Sequence, residues 1–248
     1  MVLSARPRKK LWRMKRSLTN KQRNKKIKRS GSSRVFLLRY SSHTMKLLLT
    51  SDGWSTDAIK QTFLSLLVKP PQECSVFLIV CVQSPEEQRW IDMDREELQS
   101  MGIEKISVYN LLEEKIPPQI SADVLCVCGG NTFLYLDRLQ KTGMDQVIEQ
   151  AILADRSIYV GISAGSIIAG PDIEIAGWGS EGDMNERQLK NLKGFHLTDT
   201  AIFPHYKPEQ KNEVESFCKK VSYPVLPVAD GQALLITGEK QTLISSSL

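Results

Sequence analysis

Along residues 45–248 the apolar positions switch back and forth between two periods. Runs at 46–51, 75–82, 106–109, 123–128 and 157–162 have strand character, and between them residues such as Ile59, Phe63, Leu66 and Leu67 return at helical spacing. The pattern predicts strands over those five runs. It predicts helices over 57–68, from Pro85 to a stop at Gly102, over 132–140 and over 144–154. Pro70-Pro71 ends the first helix, and Ser84-Pro85-Glu86-Glu87 opens the second with an N-cap, a proline at the first helical position and acids in the first turn. The run at 75–82 is apolar on both faces, which marks a central strand covered above and below. Alternation of this kind implies an α/β fold: a single domain over residues 45–248 built on a doubly wound, mostly parallel sheet flanked by helices. Its functional loops should lie beyond the carboxyl ends of the strands. Past residue 170 the pattern is less regular, with a glycine-rich loop at 177–183, a strand-like run at 200–203, a helix at 208–220 and short strands at 224–228, 233–237 and 242–245.

Residues 1–44 do not follow this pattern, and charge sharpens the break. They hold 15 of the 33 Lys and Arg and none of the 28 Asp and Glu, so the net charge of +5 averages a basic arm with a domain of net −10. Clusters such as Arg8-Lys9-Lys10 and Lys25-Lys26-Ile27-Lys28-Arg29 cannot build a core. The first expectation is a disordered extension, or upstream sequence ahead of a domain that begins at Met45. A nucleic-acid-binding arm that gains affinity by counterion release, and a transit peptide, are the alternatives. A secretory signal is not expected for want of a sustained apolar segment, and no run approaches the roughly 18 apolar residues of a membrane span. Cys81, Cys126 and Cys128 fall in apolar strands, and no His or second Cys pair follows Cys126-Val127-Cys128 at zinc-site spacing. All five cysteines are therefore read as free thiols, no metal or cofactor is assigned, and a reducing, cytoplasmic setting is expected.

Candidate chemistry centres on Gly161-Ile162-Ser163-Ala164-Gly165, where a buried strand turns into a helix. A nucleophile elbow has this form: the apex residue is held in a strained conformation, its side chain projects above the sheet, and small neighbours leave room for the turn. Ser163 is the candidate nucleophile and the N–H of Ala164 a candidate oxyanion donor. A serine hydroxyl needs a base. Of three histidines, His43 belongs to the arm, His196 lies between Phe195 and Leu197, and His205 follows the run at 200–203, where a strand hands over to a loop; His205 is preferred. Asp230, ending another strand-like run, is the candidate acid to orient the imidazole, with Asp183 and Asp199 as competitors. Gly129-Gly130, one strand before the elbow, offers N–H groups ahead of a helix. The absence of a P-loop or dinucleotide-binding motif disfavours phosphate and leaves an oxyanion as the better fit.

In this order the motifs resemble the dipeptidase E (aspartyl dipeptidase) family of serine peptidases, which has a class I glutamine-amidotransferase-like fold with a flavodoxin-like core. The resemblance runs from Met45-Lys46-Leu47-Leu48-Leu49-Thr50-Ser51 through Gly129-Gly130-Asn131-Thr132-Phe133, Gly161-Ile162-Ser163-Ala164-Gly165-Ser166 and Pro204-His205-Tyr206 to Asp230-Gly231. It implies Ser163 as nucleophile, His205 as base, Gly130 and Ala164 as the oxyanion hole, and Asn131 and Thr132 as substrate contacts. It favours Asp230 for the acid, where relatives often carry Glu, and leaves Asp183 as the alternative acid or a substrate contact. The implied substrate is a dipeptide or small peptide-like amide, with N-terminal aspartate preferred, cleaved through an acyl-enzyme; Lys207 and Arg187 are candidate cations for an acidic side chain. Whether the chain forms a homodimer is left open. An α/β-hydrolase esterase is the rival enzyme reading, although its acid normally precedes a late histidine. A catalytically silent binding module with a nucleic-acid-binding arm is the rival of another class.

Overall fold

The computed structural model describes residues 45–113 and 120–246, and the basic arm at 1–44 lies outside the described residues. Five strands form the parallel body of the sheet: β1 (Lys46–Thr50), β2 (Ser75–Val80), β3 (Lys105–Asn110), β4 (Val124–Val127) and β5 (Ile158–Ile162). Two more, β8 (Gln232–Thr237) and β9 (Lys240–Ser245), extend it antiparallel beyond β1. The spatial order is β3-β2-β4-β5-β1-β8-β9. Read from β2, the parallel strands have the flavodoxin-like order, with β1 taking the last place. The chain runs from β2 outward to β3 and then back past β2 to β4, so a switch point opens between the carboxyl ends of β2 and β4.

The helices cover both faces, and side-chain alternation along each strand assigns the cover. Leu48, Leu78, Cys126, Cys128, Val160 and Ile162 pack with α1 (Asp57–Leu66) and α2 (Pro85–Ser100). Leu47, Leu49, Ile79, Leu125, Val127 and Tyr159 face α3 (Thr132–Thr142), α4 (Met144–Leu153), α5 (Ala164–Ile168) and α6 (Lys211–Cys218). Leucines such as Leu47, Leu48 and Leu49 are wholly buried, each contributing about 1.5–3 kcal/mol of apolar burial. The Ser84 hydroxyl caps α2 by accepting from Glu87 N–H, and the Glu87 carboxylate returns to Ser84 N–H, as the sequence implies.

Two details depart from the sequence reading. The runs at 200–203 and 224–228 leave the main sheet and pair with each other, as β6 (Ala201–Phe203) and β7 (Val225–Pro227), in a separate parallel ribbon. The helix expected over 208–220 starts as a 3₁₀ turn, Pro208–Gln210, and becomes α-helical only over Lys211–Cys218. Pro208 fits such a first turn because its missing N–H would have no helical acceptor there.

Candidate active site

Ser163 is placed by an unusual backbone. It sits at φ 48°, ψ −105° between the end of β5 and the start of α5, outside the regions open to ordinary residues at low cost. The turn is held on both sides. Ser163 N–H donates to Thr50 O at 3.0 Å, and the Ser163 carbonyl accepts from Ser166 and Ile167 N–H at 2.9 and 3.1 Å. The flanking glycines are required by space: a Cβ on Gly161 would lie 2.6 Å from the Gly165 carbonyl carbon, and one on Gly165 would lie 2.0 Å from Val127 O. Helix α5 can therefore approach β4 and β5 closely enough to leave Ser163 at the apex.

The other two side chains arrive from the β6–β7 ribbon. His205 lies two residues beyond β6, with φ 54°, and Asp230 lies between β7 and β8. His205 Nε2 is 2.9 Å from Ser163 Oγ, and His205 Nδ1 is 2.7 Å from Asp230 Oδ1. The three groups thus form one hydrogen-bonded chain, open to solvent at the imidazole and carboxylate. Asp52 Oδ1 accepts from Gly231 N–H at 3.0 Å and fixes the turn that carries Asp230.

The Gly129-Gly130 loop stands against the same serine, since a Cβ on Gly129 would lie 3.5 Å from Ser163 Cβ. Gly130 has φ 141°. Its N–H and that of Ala164 have no hydrogen-bond partner among the described residues, so both remain free to bind an oxygen. Tyr135, buried on α3, braces the loop: its hydroxyl donates to Gly129 O and accepts from Cys81 N–H, each at 3.1 Å. Burial pushes its phenol well above the usual range, which keeps it a neutral donor.

The competing candidates go elsewhere. The Asp183 carboxylate accepts from Thr132 N–H at 2.7 Å, at the start of α3, and Asp199 sits 2.6 Å from His196 Nε2 as a separate pair. Asn131 caps α3 through Leu134 N–H and donates to Met184 O; Thr132 is buried, so of the two expected substrate contacts only Asn131 keeps appreciable exposed surface. Lys207 is paired with both oxygens of Glu181 at 3.1 and 3.0 Å, and that carboxylate holds its ammonium above the ordinary lysine range. Arg187 is exposed and makes no ion pair among the described residues. Burial pushes the Cys81 thiol up to about 12, partly opposed by the charges of Arg138 and Arg187.

Sequence reasoning missed Ser51. It is fully buried, its hydroxyl donates to Asp230 Oδ1 at 2.7 Å, and its oxygen accepts from His205 N–H at 2.7 Å. The signal available was its position at the carboxyl end of the strand beside β5.

The model of peptidase family S51 matches residues 47–244. An uncharacterized peptidase of Listeria innocua is 32% identical over 123 residues, covering 48% of this chain and 57% of that protein. Peptidase E of Streptomyces coelicolor is 28% identical over 132 residues (49% and 52%), and a probable alpha-aspartyl dipeptidase of Drosophila melanogaster is 29% identical over 133 residues (50% and 53%). The matches thus span little more than half the length of these relatives. The crystal structure of a candidate peptidase E from Listeria monocytogenes superposes with a TM-score of 0.67 at 25% identity, covering 82% of this chain and all of that one.

Proposed function

We propose, from the premise that this chain belongs to peptidase family S51, that it is a serine peptidase acting on dipeptides or small peptide-like amides. The observation that carries the proposal is the run of hydrogen bonds from Ser163 Oγ through the His205 imidazole to Asp230. In the proposed reaction His205 Nε2 takes the hydroxyl proton as Ser163 Oγ attacks the substrate carbonyl. Asp230 accepts from Nδ1–H, fixes the tautomer and stabilises the imidazolium. The oxyanion is received by the N–H groups of Gly130 and Ala164. His205 then protonates the leaving amine, leaving an acyl-enzyme on Ser163, and a water activated by the same imidazole releases the acid.

N-terminal aspartate is the proposed preference, supported by the relative named as an alpha-aspartyl dipeptidase. Arg187 is the proposed cation for that side chain, since Lys207 is already engaged by Glu181. A cytoplasmic setting is proposed on the five free cysteines, four of them buried; among the described residues no helix is long and apolar enough to cross a membrane. The test is a dipeptide panel assayed with wild type and Ser163→Ala. Hydrolysis of Asp-X dipeptides by wild type alone supports the reading. Equal hydrolysis by both proteins overturns it.

A further inference from the structure

We infer that Ser51 is a positioning residue of this site, orienting the imidazole and the carboxylate together through one hydroxyl. The inference rests on the reading of Ser163, His205 and Asp230 as the reacting chain. A fully buried hydroxyl is costly unless its donor and acceptor capacities are both used. Those of Ser51 are used on the site alone: its proton goes to Asp230 Oδ1, and its oxygen takes His205 N–H. Asp230 Oδ1 is the same atom that receives His205 Nδ1. One carboxylate oxygen is therefore held by two donors, and the residue that supplies the second also fixes the backbone from which the imidazole hangs.

Both partners need such a hold. Asp230 projects from a turn with its side chain largely exposed, and an exposed carboxylate bound by one donor alone rotates readily. His205 has a positive φ, which persists only where neighbours enforce it. Ser51 can enforce it because its own main chain is anchored, with N–H donating to Gln232 O at 3.2 Å. The adjacent residue completes the arrangement: Thr50 O accepts from Ser163 N–H and from the Ser166 hydroxyl. Residues 50 and 51 at the end of β1 thus tie together the nucleophile turn, the histidine loop and the acid turn. An alanine at position 51 would fill much of the same space but would leave His205 N–H unpaired and Asp230 with one donor fewer.

The experiment compares Ser51→Ala, Ser51→Cys and Ser51→Thr in the full chain, with kinetics on the best dipeptide and proton NMR of the His205 Nδ1–H. Cysteine keeps a small side chain with poor hydrogen-bonding capacity, and threonine keeps the hydroxyl. The wild type should show a far-downfield Nδ1–H resonance from its bond to Asp230. That signal should be lost in Ser51→Ala and Ser51→Cys and retained in Ser51→Thr and Ser163→Ala. In the first two variants kcat should fall about tenfold or more with KM changed less than about twofold, as for an interaction that orients reacting groups without binding substrate. Ser51→Thr should stay within about threefold of wild type. The inference is overturned if wild type lacks the resonance, if either hydroxyl-free variant keeps both resonance and kcat, or if kcat falls with the resonance intact. Hydrolysis that persists in Ser163→Ala overturns the peptidase reading instead, and the resonance still reports whether Ser51 holds the pair.

Discussion

Asp94 makes stability depend on pH in an unusual direction. This carboxyl projects from α2 toward the sheet beneath the site: a Cβ on Gly53 would lie 3.2 Å from its Oδ1 and 3.6 Å from Ile162. Burial, with the nearby charge of Glu97, pushes it up to about 7, while a hydrogen bond with Cys128 pulls the other way. In the unfolded chain it titrates near ~3.9. Below about pH 4 both states are protonated and Asp94 costs nothing. Between about pH 4 and 7 the folded protein retains a proton that the unfolded chain releases, so stability falls as pH rises; above about 7 the full penalty is present. A difference of about three units, at ~1.36 kcal/mol each, sets a ceiling of about 4 kcal/mol. Asp94 keeps some contact with solvent, which reduces the loss between pH 5 and 8 to on the order of 1–3 kcal/mol. Asp94→Asn removes the titration. Measured by urea unfolding, wild type should lose that amount relative to the variant on going from pH 5 to pH 8, and the variant should be the more stable at pH 8. Parallel stability curves for the two proteins would refute the reasoning.

Other substitutions separate the roles of neighbouring groups. Asp230→Asn should lower kcat by about 10³-fold or more, through loss of the imidazole's partner. Asp183→Asn, which touches only the start of α3 among the partners described above, should leave kcat within about tenfold and lower stability by about 1 kcal/mol; the reverse ranking in a steady-state assay would reassign the acid. Gly165→Ala forces a Cβ to within 2.0 Å of Val127 O and should cost more than about 3 kcal/mol in denaturant unfolding. Gly143→Ala, at φ 75° with open space around it, should cost only about 1 kcal/mol.

What the sequence carried well was local. The apolar run at 75–82 identified a strand lying between two others, and β2 does lie between β3 and β4. The glycines around Ser163 announced a tight strand–helix turn because the need for small side chains leaves a mark at fixed spacing. What it could not carry was assembly. Nothing local tells β1 to settle between β5 and β8, or removes 201–203 and 225–227 from the main sheet into a ribbon of their own. Ser51 illustrates the cost: its partners lie 154 and 179 residues away, so its hydroxyl reads in sequence as an ordinary strand end. Lys207 illustrates the converse, a cation well placed in sequence that the fold commits to Glu181. Asp183 is spent in the same way, on the Thr132 N–H at a helix start.

The central claim is that Ser163 does the chemistry with His205 and Asp230. It is tested most directly by initial rates on an Asp-X dipeptide series for wild type and Ser163→Ala at matched concentration and confirmed folding. The account predicts turnover by wild type and a fall of at least about 10³-fold in the variant. Turnover by Ser163→Ala at the wild-type rate would contradict it.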